Sequence, residues 1–406
     1  MDFIDFLKEM LGITDDFAIT SIEKIESPEK IIRINLSYLP SKYYFLGESY
    51  KVYDTSPERE WQHLSWFDYK CYLVCKLPRY IDKDGNVKTI EPNFAPKGRG
   101  YTHLFAIKII EMLQTVKVQS TVASLLQTSA HIVRSVMEMA VLQATENRGN
   151  LTDLVNISID EKAYAKGHEY ATILIDSDKD YVVEMHEGRK EKSVRALFYN
   201  INSQEHQPQL QRVNMDMWKP YIKVIKEMAP NALIVHDKFH LFKKLSEAID
   251  KTRKKEVLEN PLLVKQKYTV LKNAESRTEQ QQKVFNEMSQ ANLKTAQAWH
   301  IRENFKSLFW VGKPDKEQIT GLFEKWITDS KEKGLKYVDA VIETFESHKE
   351  GILNAFITKT DSSGHENMNG RIQSVVAKAR GFINFDRFRI NILFYFGKLD
   401  FSSLKF

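Results

Sequence analysis

Two acidic residues close apolar runs: Asp160 ends "ISID" and Asp216 ends "VNMD". A third run, "IVHDKFHLF" over 234–242, holds His236, Asp237 and His240. Carboxylates are hard oxygen ligands suited to Mg2+ or Mn2+. Two such ions roughly 3.5–4 Å apart can activate an attacking oxygen and stabilise a leaving one in phosphodiester displacement. Asp237 and His240 could instead form an acid/base pair, and His236 with His240 has the spacing of a helical metal site. Acidic residues also gather at strand ends because strands end at water. Residue type alone therefore leaves Glu161, Asp176 and Asp178 as competitors.

The elements that carry these residues narrow the choice. "LVNISID", "YATILID" and "YVVEMHEG" read as three successive strands with short turns, able to form an antiparallel meander. A helix-like "SVRALFYNINSQEH" follows, then a strand "QRVNMD", a helix "WKPYIKVIKEMAP" and a strand "NALIVHD". This βββαβαβ order is that of the ribonuclease H fold, although other α/β sheets share the string. In a ribonuclease H sheet the first and fourth strands are neighbours, so Asp160 and Asp216 would face each other across about 5 Å. The fifth strand lies one place further out. That favours Asp216 over Asp237 as the middle acid and keeps Asp237 as its rival. A third carboxylate should come from a late helix, and Glu366 follows "SSGH" at an expected helix start.

Residues 101–146 read as three helices, the last two tightly joined near Gln127 and Thr128, in a helix-turn-helix pattern. Ser129 is a plausible N-cap, which puts His131 and Arg134 on a face that could read base edges. An ordinary helical hairpin is the alternative. Residues 1–100 mix a short helix with strand-like pieces such as "KIIRINLSYL" and "FDYKCYLVCKLPRY", and 243–355 are helical. The chain has 406 residues, 42% of them hydrophobic, and a mean hydropathy of −0.42, which describes a globular protein with real cores. No apolar run nears the ~20 residues of a membrane helix, and the N-terminus shows no signal peptide. The only cysteines, Cys71 and Cys75, imply a reducing compartment and no disulfide framework. Net charge is +5. It concentrates in 243–283 and 371–406, each carrying about +5, which suits a polyanion or simply a lysine-rich solvated helix face.

The stretches "IDEKAYAKGHEYATILIDSD", "DMWKPYIKVIKEMAPNALIVHDKFHLFKKL", "AWHIRENFKSLFW" and "GHENMNGRIQSVVAKARGFINFDRFRINILFYFGKLDF" resemble the bacterial insertion-sequence transposases of the ISL3 family. "EREWQHLSWFDYKCYLVCKLPRY" resembles that family's N-terminal module. The resemblance implies an α/β ribonuclease H-like catalytic core interrupted before its last helix by an all-α insertion. It matches Asp160, Asp216 and Glu366 to the three acids of a DDE transposase, which would hold two Mg2+ (or Mn2+) ions. Asp237 and His240 resemble a D-x-x-H signature and, with Asn369, would support those acids. The implied organisation is an N-terminal module (1–100), a helix-turn-helix (101–150), the first part of the catalytic domain (151–242), the insertion (243–355) and the final part (356–406).

One departure concerns zinc. "FLGESYKVYDTSPERE" has no cysteine, and "RYIDKDGNV" has Asp82 and Asp84 where thiolates would be expected. The module therefore resembles a zinc ribbon that has lost its cysteines. Zinc is not expected, and the fold should persist through Trp61, Leu64, Trp66 and Phe67. The implied partner is double-stranded DNA, as terminal inverted repeats and as target, bound by a homodimer in the bacterial cytoplasm at the nucleoid, with no membrane. Ser129, His131, Arg134, Lys243, Lys244, Arg253, Lys254, Lys255, Arg371, Lys378 and Arg380 are the expected DNA contacts. The alternatives are a catalytically inactive, transposase-derived DNA-binding protein or repressor, and a structure-specific nuclease with the same core.

Overall fold

The computed structural model describes residues 2–406 apart from 41, 46, 47, 149, 150, 166, 168, 203–208, 360–362, 403, 405 and 406, and only the backbone of 42, 44, 45, 48, 202 and 363–366. Contacts divide the chain into two units, Met1–Gly149 with Leu399–Phe406, and Asn150–Lys398.

The first unit begins with α1 (Phe3–Met10) and eight strands: β1 (Phe17–Ile25), β2 (Ile31–Tyr38), β3 (Lys42–Phe45), β4 (Glu48–Thr55), β5 (Arg59–Trp66), β6 (Tyr69–Cys75), β7 (Pro78–Ile81) and β8 (Val87–Thr89). They form two four-stranded sheets, ordered β1-β2-β6-β5 and β3-β4-β7-β8. Alternation along β2 and β6 sends Ile32, Ile34, Leu36, Cys71, Leu73 and Cys75 into one core with Trp61. Leu64 and Trp66 are half-buried. Phe67, expected among the anchors, is not one. It takes a left-handed conformation (φ 52°) in the β5–β6 turn, and its ring is 99% exposed.

Three helices follow, α2 (His103–Val116), α3 (Gln119–Leu125) and α4 (Ala130–Glu146). Ser129 caps α4 by accepting a hydrogen bond from the Ile132 N–H at 3.2 Å. Gln62 of β5 fastens the α3–α4 turn. Its amide donates to the Leu126 and Gln127 carbonyls at 3.4 and 3.3 Å, and Thr128 Oγ1 donates to its oxygen at 2.7 Å.

The second unit is built on a five-stranded mixed sheet: β9 (Asn156–Ala165), β10 (Glu169–Asp176), β11 (Tyr181–Glu187), β12 (Arg212–Met215) and β13 (Leu233–His236), in the order β11-β10-β9-β12-β13. The first three strands are an antiparallel meander, and β12 runs parallel to both β9 and β13. This order is consistent with a ribonuclease H-like core. Between the strands lie α5 (Glu191–Asn202) and α6 (Lys219–Met228). Ile157 and Ile159 of β9 pack with Val194, Leu197 and Phe198 of α5 and with Tyr221, Val224 and Ile225 of α6. One face of the sheet is thereby sealed.

After β13 the chain is helical: α7 (Lys238–Glu256), α8 (Lys267–Leu271), α9 (Glu279–Gln290), α10 (Lys294–Leu308), α11 (Lys316–Lys331), α12 (Lys336–Ser347), α13 (Lys349–Thr358), α14 (Ser363–Lys378) and α15 (Phe385–Phe396). Phe305 of α10 is the hub of the α7–α13 core, with ring centroids of Trp326, Phe345 and Phe356 at 4.9, 5.2 and 5.4 Å. The same core includes Val235 of β13, so helices and sheet pack without a break. α7 starts at Lys238, five residues before the expected handover at 243, and carries the chain from the sheet into the helical region. α13 covers the β13 edge. Asn354 donates to the Ile234 carbonyl at 2.8 Å, and a Cβ on Gly351 would come within 2.5 Å of the His236 ring.

Candidate active site

The strand register aligns the acids. β12 pairs with β9 through Asn214 and Ser158, and with β13 through Met215 and His236. Continuing both registers by two residues and one residue respectively sets Asp216 beside Asp160 on one side and Asp237 on the other. Asp160 does not end its strand as the sequence implied, because β9 runs on to Ala165. Its pairing with β12 does end at Ser158, and that opens the row. Asp160, Asp216, Asp237, His240 and Asn369 line one pocket of about 20 Å3, with Ser158 and Asn214 beneath them.

Each of the two inner acids is held the same way. Asp160 Oδ1 accepts from the Glu161 N–H at 2.7 Å, and its Oδ2 lies 3.3 Å from Lys162 Nζ. Asp216 Oδ1 accepts from the Met217 N–H at 2.6 Å, and its Oδ2 lies 3.4 Å from His240 Nδ1. Asp237 caps α7 by accepting from the Phe239 N–H at 2.9 Å, and its Oδ2 is 4.0 Å from His240 Nε2. One imidazole therefore sits between two carboxylates, and the helix cap fixes one of them.

The other acids have structural work. Glu161 alternates to the sealed face of β9, where burial raises its pKa, opposed by a hydrogen bond from Tyr221. Asp176 is 1% exposed and accepts from the Asp178 and Lys179 N–H groups, both at 2.8 Å. Asp178 accepts from the Asn156 amide at 2.9 Å. His236 is buried, and burial lowers its pKa to about 4. Glu366 belongs to α14, but its side chain lies outside the described residues. Among the described residues no three His, Cys, Asp or Glu side chains converge as a metal site.

A family model described as Transposase, that of the ISL3 DDE transposases, matches residues 157–392. This chain belongs to the ISL3 family. It is 23% identical over 402 residues to the transposase for insertion sequence element IS1001 of Bordetella parapertussis, covering 95% of this chain and 97% of that one. It is also 23% identical over 197 residues to the transposase for insertion sequence element IS1557 of Mycobacterium tuberculosis, covering 48% of this chain and 44% of that one. It is thus an insertion-sequence transposase, and a DDE-family enzyme.

DDE transposases use divalent metal ions, and the donors in the pocket fit one. Besides the carboxylates of Asp160, Asp216 and Asp237, it presents Asn214 Oδ1 and Asn369 Oδ1, both buried with no hydrogen-bond partner among the described residues. Hard oxygen donors of this kind suit Mg2+ or Mn2+. The cysteines offer no counterpart. Cys71 and Cys75 are 0% and 2% exposed, and burial pushes their thiols up to about 12 and 11. Asp82 is occupied in the β7–β8 turn, pairing with Lys88 at 2.7 Å and accepting from the Asn86 N–H at 2.8 Å.

The residues expected to contact DNA fall in both units. In the first unit, Ser129 and His131 are exposed and Arg134 is half-buried. On α7, Lys243, Lys254 and Lys255 are exposed and Lys244 is half-buried, while Arg253 is committed to Asp250 at 2.8 Å. Arg371, Lys378 and Arg380 are exposed, with Arg371 3.4 Å from Asp180 and its guanidinium over the Phe396 ring. Lys162, Asn214 and Ser158 were not singled out from sequence. The period of two along a strand would have found them, since each lies two residues from a candidate acid.

Proposed function

We propose that this transposase binds the terminal inverted repeats of its insertion sequence and catalyses metal-dependent DNA strand cleavage and strand transfer. The observation that carries the reading is the register-matched pair Asp160 and Asp216, on neighbouring parallel strands, in a pocket with unpartnered amide oxygens. Water attacks the phosphodiester at the element end and frees a 3′-OH, which then attacks target DNA. Asp160, Asp216 and Glu366 would hold two Mg2+ or Mn2+ ions. When bound, these acidify the attacking oxygen and offset charge on the phosphorus. Position 366 precedes Asn369 by three residues on α14, and hence shares its helix face.

The protein's own groups do the positioning. Asp237 fixes the start of α7, and α7 presents His240 to Asp216. His240 orients that carboxylate and Asn369 closes the pocket. In the remaining organisation, 1–100 is a zinc-ribbon-like module without its zinc ligands and 101–150 a helix-turn-helix for the major groove. The ribonuclease H-like core spans 151–242 and 356–406, interrupted by the all-helical insertion 243–355. The basic residues on α7, α14 and the following turn would contact backbone phosphates with salt-dependent affinity. Cutting two ends in concert calls for a homodimer on DNA, in the bacterial cytoplasm at the nucleoid.

The test is a supercoiled plasmid carrying the element ends, incubated with the protein and Mg2+ or Mn2+. Wild type should nick or excise at the ends and Asp216→Asn should not. Equal cutting by the two proteins would sink the enzyme reading. Undiminished cutting after the ends are scrambled would replace it with a structure-specific nuclease.

A further inference from the structure

The two candidate acids have different resident partners. Asp216 faces an imidazole, which can donate a hydrogen bond while neutral. Asp160 faces the Nζ of Lys162, 3.3 Å from its Oδ2. Lys162 is two residues beyond Asp160 on β9, so both side chains leave the same face of the sheet. The pair is only about one-fifth exposed, 19% and 20%, so water screens it less than a surface pair. A divalent cation that takes Asp160 Oδ2 would meet this ammonium at like-charge contact distance. The four-carbon lysine stem can swing the charge aside without moving the strand. The strongest new anion then at hand is the phosphate of the DNA strand being cut.

We propose that Lys162 is a built-in counter-cation for Asp160, which a divalent metal displaces and which then binds a non-bridging oxygen of the scissile phosphate. It offsets the charge of Asp160 before metal arrives and positions the DNA strand afterwards. This rests on the assignment of Asp160 as a metal ligand.

The test uses the full chain. Mn2+ alone is titrated without DNA, followed by the signal of the free ion, for wild type, Asp160→Asn, Lys162→Met, Lys162→Gln and Lys162→Arg. Lys162→Met and Lys162→Gln should bind Mn2+ about threefold tighter or better, and Lys162→Arg should stay near wild type. With Mn2+ saturating and the plasmid carrying element ends as substrate, Lys162→Met should cut about tenfold slower or worse, with Lys162→Arg in between. A merely structural ion pair would make metal affinity and melting temperature fall together in the neutral variants, and that outcome overturns the proposal. So does unchanged Mn2+ affinity, or undiminished cutting at saturating Mn2+. If wild type and Asp160→Asn bind Mn2+ alike, it is the metal-ligand assignment that fails instead.

Discussion

The sheet holding Cys71, Cys75 and His63 and the sheet that holds Asp160, with Asp216 just past the end of β12, are built from similar strands, yet they present their polar groups differently. In the first, the reactive types point inward. Cys71 and Cys75 pack with Leu73 and Trp61, and His63 is 2% exposed, with its Nδ1 2.8 Å from Thr102 Oγ1. Burial alone suppresses their charged forms, lowering His63 to about 4 and raising both thiols. In the second, β12 stops at Met215 and its pairing with β9 stops at Ser158, so the acids fall where the ladder opens and water can reach. A carboxylate or thiol becomes useful through its place relative to the end of pairing, more than through its type.

The largest expected effect breaks the comparison at its active side. Asp216→Asn should lower metal-dependent cleavage on the order of 1000-fold, about 4 kcal/mol of barrier, with an unchanged circular dichroism spectrum. Loss of folding in this variant would make Asp216 a structural residue like Cys71.

Acid should expose what the two regions share. His63 and His236 both have pKa values lowered from 6.5 to about 4 by burial. Below pH 6.5 the unfolded chain binds protons at these sites that the folded chain refuses. Stability is therefore complete above pH 6.5 and declines as pH falls towards 4, by up to about 3 kcal/mol per histidine. Denaturant titrations at pH 7 and pH 5 check this, and His63→Asn should flatten the dependence.

Smaller changes sharpen the contrast. Gly351→Ala should cost about 1–3 kcal/mol, because its Cβ would fall 2.5 Å from the His236 ring, and thermal melts will read the loss. Asp237→Ala removes the cap of α7 and one neighbour of His240, so cleavage should fall about 10–100-fold, less than for Asp216→Asn. A larger loss than that of Asp216→Asn would make Asp237 the middle acid. Cys71→Ala should have the smallest effect, about 1 kcal/mol of stability with cleavage and zinc content unaltered.

Much of this was legible along the chain. Apolar runs ending in acids marked β9, β12 and β13, and their order with the helices gave the strand sequence before any pairing was known. The spacing "DKFH" marked Asp237 and His240, and the capping serine placed α4. Local pattern carries such information because periodicity and capping act within a few residues.

Register and facing were decided only in three dimensions. That Asp160 sits mid-strand, that Glu161 turns to the sealed face, and that Phe67 is thrust into solvent all depend on where neighbouring strands stop. The burial of His236 against Gly351 was likewise decided by packing. His236 and Gly351 meet only once β13 and α13 have packed. A one-residue slip of β9 would send Asp160, Glu161 and Lys162 each to the opposite face. The sequence by itself determined which residues could do the chemistry and on which elements they ride. The tertiary structure decided which of them meet, because pairing and burial are properties of several strands at once.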